Sequence, residues 1–428
     1  MTRQQKVWIQ AFQSVPQAWR QWLCACEDLP RITIGGLLLI LLGYVYCNAG
    51  EPVDDALRHL VAYRFHYDYH IAYPWATLPS FDCWYLFDVF MGWMHRTFQE
   101  QAIPIVRTLS CLGFIGALWQ MCKNASINWR VVIILAGVFL VHFRMELCRP
   151  APIESILFLW AVALQPKRWY WHMLLGLGMA SFYYLFFIYL IPLILVRRIY
   201  VVPLLLGLFG WWSAVGAEFF HVFFVLTKVS ENSALPILES APWLVALAGT
   251  WLLLLPVIYF WRKDPRGIVL IVWFLAANRV RYLETVYPLC LRFAQHLCPR
   301  VSRVVVLALF CYLLSQIYPT EGSLGYKGIV PANSKVFCVS MTDSFRTLYR
   351  NDVQIAPCMA AAWNDPKIVA AMKQGLKGEF DPDLLTMGFD YIIESSINWT
   401  PQLMHQYGSR LRLVSTQHAL RVWRVSRP

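Results

Sequence analysis

Charge is scarce in this chain. Only 14% of its 428 residues are Asp, Glu, Lys or Arg, against about a quarter in an average soluble domain. That shortage excludes an ordinary soluble enzyme, whose surface needs more charge. Nucleotide-handling motifs are missing too. No Walker loop, dinucleotide fingerprint, HExxH or GxSxG pattern occurs, which argues against cytosolic nucleotide chemistry. The 12 cysteines are scattered without metal-like spacing. The first 31 residues hold no apolar core and no small-residue cleavage site, so they do not read as a signal peptide.

Apolar side chains fill the gap. They make up 58% of the sequence, which has a mean hydropathy of +0.47. They fall in runs separated by short polar joints, the pattern of a polytopic α-helical membrane protein. The net charge is +12. The basic residues lie in the joints, so membrane topology accounts for them better than nucleic acid does. The 20 Trp and 21 Tyr suit interfacial belts.

The spacing predicts about 11 transmembrane helices, over 32–47, 104–122, 131–144, 151–164, 170–182, 184–196, 199–216, 243–261, 267–278, 286–298 and 303–318. Residues 1–31, with Trp8, Phe12, Trp19 and Trp22, are expected to form an interfacial cytoplasmic helix. With that end inside, the basic joints "CKNASINWR", "QPKRW", "RRIY", "WRKDPR" and "CPRVSR" all fall on the cytoplasmic side. The transmembrane domain then spans 32–318, with a large external first loop at 48–103. Two stretches strain the scheme. The hairpin 170–196 is too short for two full crossings of a ~30 Å core. The apolar stretch 81–98 carries Asp82, Asp88, His95 and Arg96, and is expected as a juxtamembrane helix. The polar tail 319–428 mixes period-2 runs with "PKIVAAMKQGL", and is expected as a small periplasmic α/β cap domain. Its Cys338 and Cys358 are either a disulfide or two buried thiols.

Titratable groups gather on the expected outer face. "GEPVDDALRHLVAYRFHYDYHIAYP", 50–74, holds Asp54, Asp55, Arg58, His59, Arg64, His66, Asp68 and His70. One aspartate of the pair could cap the helix "DALRHLVAYRF" while the other is solvated. A helix there would keep Arg58, His59, Tyr63, Arg64 and His66 near one face. Past the third span come Arg144, Glu146, Arg149 and Glu154; acids at membrane depth are costly and usually have a task. "ANRVRYLETVYP" contributes Arg279, Arg281, Tyr282 and Glu284, and guanidinium forks suit phosphate oxygens or lipid headgroups. The loop 217–242 adds His221, Lys228 and Glu231, as a substrate lid or a plain connection. Carboxylates and arginines on one face suit transfer from a phosphate-activated, membrane-anchored donor, with a carboxylate as general base and arginines holding the leaving phosphate.

In this order the motifs resemble those of the GT-C superfamily of membrane glycosyltransferases. These enzymes use polyprenyl-phosphate sugars and include protein O-mannosyltransferases and lipid A aminoarabinose transferases. Asp54–Asp55 stand for the acidic pair of the first external loop, though Glu is frequent at the second place. His59 stands where an aromatic is usual. "FRMELCRPAPIE" resembles the second acidic motif, and "NRVRYLETVYPLCLRF" the late segment. The resemblance implies Asp55 as general base and Asp54 as its neighbour, tuning it or binding acceptor. It implies Glu146 or Glu154 as the group orienting acceptor or a metal. Arg279 and Arg281, with Arg58 and Lys228, would bind the donor phosphate, and His59, His66, His70 and Tyr282 would line the substrate site. Transfer would be inverting. Some members use a divalent metal and others none, so a metal stays open. The partners implied are a polyprenyl-phosphate sugar, membrane lipids and an acceptor that is a protein such as a pilin, a lipid or a glycan. The setting expected is the bacterial inner membrane with a periplasmic site, in preference to an endoplasmic-reticulum membrane with a luminal one, which would give the same topology. An O-antigen-ligase-like transferase, a transporter or flippase, and a membrane scaffold are the rival readings.

Overall fold

The computed structural model describes residues 28–48, 56–78, 82, 84–145, 148–164, 167–219, 265–276, 282–294, 301–317, 324–358, 364–394, 407–417 and 420–426. Helices dominate, at 70%. In chain order they are α1 Arg31–Cys47, α2 Ala56–Val61, α3 Tyr69–Ala72, α4 Tyr85–Phe98, α5 Ala102–Met121, α6 Ile127–Met145, α7 Pro150–Ala163, α8 Trp169–Phe182, α9 Phe187–Val196 and α10 Val201–Val215. After residues outside the description come α11 Pro265–Ala276, α12 Leu283–Ala294, α13 Arg303–Gln316, α14 Met341–Arg350 and α15 Pro366–Leu376. Every expected span within the described residues coincides with a helix. The one at 243–261 lies outside them, as does the interfacial helix expected over 1–31 up to residue 27.

Among the described residues two helical runs, Tyr85–Met121 and Arg198–Val215, are long and apolar enough to cross a membrane, and further apolar helices there are shorter, at 10–17 residues. At 1.5 Å per residue, a helix of 14 residues such as α7 is about 21 Å long, so short helices of this kind need protein around their ends. The first long run is itself divided. At its middle Gln99 takes φ 49, ψ −123, and a 3₁₀ turn follows before α5. The stretch expected over 81–98 is therefore a helix of its own, α4.

The bundle core joins α1, α5–α13 through residues such as Phe114, Leu118, Ile134, Phe158, Phe186, Tyr189, Phe274 and Leu313. Small residues set its closest approaches. A Cβ on Gly176 would lie 2.5 Å from Pro203, and one on Gly207 2.7 Å from Ala180 and Phe186. Glycine thus lets α8 and α10 touch backbone to side chain.

Beyond the bundle, five strands form a mixed sheet in the order β2-β1-β3-β5-β4: β1 Lys335–Cys338, β2 Gln354–Ala356, β3 Tyr391–Glu394, β4 Leu411–Gln417 and β5 Leu420–Val425. The first three pair in parallel, and β5 returns antiparallel to β3 and β4. Strand periodicity sends Val336, Cys338 and Val422 to one face and Phe337, Val339 and Trp423 to the other. The second face is covered by α15. The first is covered by α14 together with Leu57, Leu60 and Val61 of α2, in one shared core. Cys338 and Cys358 are separate buried thiols, and Cys338 Sγ lies 3.7 Å from Thr347 Oγ1.

Candidate active site

The segment after the aspartate pair folds as α2, all six of whose residues are buried. It is held between α4 on one side and α14 on the other. Asp55 is the residue immediately before α2. The expected long helix does not form. α2 ends at Val61, a 3₁₀ turn runs over 62–65, and His66 and Tyr67 follow in the left-handed region at φ 55 and 62. This corrects the expectation of one helical face. Arg58 and His59 turn inward at 0% and 1% exposure, while His66 and His70 are exposed. His70 Nδ1 lies 3.0 Å from Asp68 Oδ1 on the surface. Arg64 donates to the Tyr349 carbonyl of α14 at 3.0 Å.

Around Arg58 and His59 lies a buried polar cluster. The guanidinium carbon of Arg58 is 4.4 Å from the Trp84 ring centre and 4.8 Å from that of Tyr69, a desolvated cation–π sandwich. His59 places Nδ1 on one oxygen of the fully buried Asp88 and stacks edge-on against Phe87 at 4.9 Å. The Tyr69 hydroxyl donates to the other Asp88 oxygen. Asp82 accepts from the Trp84 backbone N–H at 2.8 Å. Asp82 is pushed up to about 9, by burial first and then by the nearby charge of Asp88. Burial likewise raises the Tyr69 hydroxyl well above its ordinary value.

A second cluster sits where α7, α9 and α12 meet. The Ser155 hydroxyl donates to Glu284 Oε1 at 2.9 Å, accepts from Thr285 at 3.0 Å and lies 3.3 Å from the Tyr189 hydroxyl. Tyr282 is buried against Tyr189 and Phe274, with ring centres at 6.2 and 5.7 Å. One residue away, Glu154 is fully buried, and neither carboxyl oxygen has a hydrogen-bond partner among the described residues. Buried polar groups are nearly always paired, so Glu154 stands out. Ile153, beside it, packs on the core shared by the first loop and the sheet.

Asp54, Asp55, Glu146, Lys228, Arg279 and Arg281 lie outside the described residues, as does the 220–242 part of the loop. The structure brings together Arg58 and His59, and separately Glu154 with the neighbourhood of Glu284 and Tyr282. It does not bring His66 or His70 to either cluster. Sequence reasoning missed the roles of Tyr69, Asp88, Ser155, Thr285 and Tyr189. For Asp88 the signal was present, as a carboxylate inside an apolar helix. Among the described residues no three His, Cys, Asp or Glu side chains form a metal-ligand group. A cavity of about 440 Å³ opens beside Asp82 and Tyr85, walled by Leu177, Ala180, Leu206 and Gly210 of α8 and α10.

No family model matches the chain, and no curated protein matches it. Solved structures do. ArnT from Cupriavidus metallidurans, bound to undecaprenyl phosphate, superposes with a TM-score of 0.60 at 10% identity, over 92% of this chain and 97% of that one. The arabinofuranosyltransferase AftD from Mycobacteria matches with a TM-score of 0.50 at 11% identity, over 93% of this chain and 42% of its own. The chain shares the fold of these two structures.

Proposed function

We propose that the protein is an inverting glycosyltransferase. It moves a sugar from a polyprenyl-phosphate donor to an acceptor hydroxyl on the outer face of the bacterial inner membrane. One observation carries this reading: nearly the whole chain shares its fold with ArnT, a protein seen with undecaprenyl phosphate bound. The buried carboxylates and Arg58 beside the acidic pair fit the chemistry.

In this reading Asp55 takes the proton of the acceptor hydroxyl. The oxygen attacks the anomeric carbon as the bond to the phosphate oxygen breaks, and the electron pair leaves on the phosphate. Arg279, Arg281 and Lys228 offset the growing charge. Attack opposite the leaving group inverts the anomeric centre. Asp54 tunes Asp55, and Glu146 or Glu154 orients the acceptor or a metal. His59 serves by position, since its ring is committed to Asp88.

The test is sugar release from a panel of polyprenyl-phosphate sugars, using membranes with wild type or Asp55→Asn. Loss of a general base lowers the rate by about 10²–10⁴-fold, with an unchanged melting temperature. A wild type that consumes no donor, or an Asp55→Asn protein as active as wild type, refutes the assignment.

A further inference from the structure

Three connections converge at the end of the bundle remote from Arg58: the α7–α8 joint, the α9–α10 joint and the start of α11. They bring together Lys167, Arg168, Arg197, Arg198 and Arg266. Arg197 is fixed there by a dedicated frame. Its guanidinium contacts Nε2 of His172 and donates to the Leu164 carbonyl. The buried His172 ring is held in turn by the Tyr200 hydroxyl, 2.6 Å from Nδ1. The charge of Arg266 is close enough to Arg197 to oppose its protonation, an effect second to burial among those that lower its pKa. Like charges held together are costly unless a counterion joins them.

No carboxylate of the described residues pairs with any of these five cations. Lys167, Arg168, Arg198 and Arg266 are exposed. Directly beside them Trp169, Tyr170 and Trp171 form a contiguous aromatic run, edge-to-face and then tilted, at 61%, 48% and 44% exposure. Below them α8 and α10 present Leu174, Leu177, Leu205 and Leu206 outward. Such aromatics belong at the headgroup level and such leucines in the acyl layer. Among the described residues these cations have no carboxylate partner, and they sit at headgroup depth above a surface suited to acyl chains.

We propose that this end of the bundle binds the phosphate headgroup of an anionic phospholipid. The phosphodiester sits against Arg197 and the neighbouring exposed cations, and its acyl chains lie on α8 and α10. Basic pockets between membrane helices bind anionic headgroups in this way. The site begins at Leu164, ten residues beyond Glu154, about 15 Å at 1.5 Å per residue, so it is separate from the proposed sugar-transfer centre and does not depend on it.

The experiment is thermal stabilisation of the full-length protein in detergent, titrated with phosphatidylglycerol, phosphatidylcholine or inorganic phosphate. Phosphatidylglycerol should stabilise saturably, and less at high salt. Phosphatidylcholine and inorganic phosphate should not. Each juxtamembrane cation contributes about 1 kcal/mol, about fivefold in affinity. Lys167→Gln, Arg168→Gln and Arg198→Gln together should weaken binding by about 100-fold on that basis, and each alone by about fivefold. These side chains are exposed, so the lipid-free melting temperature should stay at the wild-type value. Should the triple variant lose stability without lipid, the single variants decide. Equal stabilisation by phosphatidylcholine, full stabilisation by inorganic phosphate, or wild-type affinity in the variants overturns the proposal.

Discussion

At one end of the bundle Arg58, Asp82 and Asp88 are enclosed by groups of the chain itself: two aromatic rings, an imidazole, a phenol and a backbone N–H. At the other end Arg197 is framed just as carefully by His172 and Tyr200, yet it and its cationic neighbours are left without a carboxylate among the described residues. The difference teaches what each end is for. Charge neutralised from within fixes geometry, which suits a site that must hold an acid or base in place. Charge that no described carboxylate meets suits a counterion from outside, as proposed for the phospholipid headgroup.

The comparison breaks most sharply at Asp88. Asp88→Ala strands His59 and the Tyr69 hydroxyl in the interior. Breaking one partner of a buried charged pair costs about 3–5 kcal/mol, so the melting temperature in detergent should fall steeply. Tyr69→Phe removes one hydrogen bond to the same carboxylate and should cost about 1–3 kcal/mol, readable in the same melt. Glu154→Leu probes a carboxyl that nothing described satisfies. Removing an unsatisfied buried polar group should raise stability by about 1 kcal/mol while lowering sugar transfer, a trade of stability against function.

A pH series sharpens the contrast further. Asp82 ionises at about 9 in the fold against 3.8 otherwise. A raised pKa means the folded state keeps the proton. Its contribution is therefore complete below 3.8 and is lost progressively as pH rises towards about 9. Asp82→Asn, which cannot ionise, should flatten the fall in melting temperature across that window. An unchanged pH profile would show that Asp82 does not hold its proton. The smallest effect is expected for the Gln variants of Lys167, Arg168 and Arg198, within about 0.5 kcal/mol without lipid, as is usual for exposed side chains.

Much of the fold could be read in advance because hydropathy registers apolar runs directly. α1, α5 and α13 lie within two residues of the spans expected for them. The separateness of α4 from α5 was also readable, since Asp88, His95 and Arg96 are hard to place in lipid. The site was less legible. Arg58, His59 and Glu154 could be singled out by residue type, and the structure buries all three, but their surroundings could not be read, because Tyr69, Asp88, Ser155 and Tyr189 come from elements brought together only by tertiary packing. The helical face drawn through His66 failed for a local reason: two successive left-handed residues, His66 and Tyr67, which nothing in their types demands.

The core shared by α2, α14 and the sheet sets an order of events in synthesis. The side chains that share a core with Leu57, Leu60 and Val61 include Val336, Phe345, Leu348 and Val422, all translated long after them. That short helix has no finished surface to rest on until the sheet has been made and delivered. The stretch beside the acidic pair is thus translated well before it is completed, and a chain cut ahead of the sheet would carry the residues of the site without the support that shapes it.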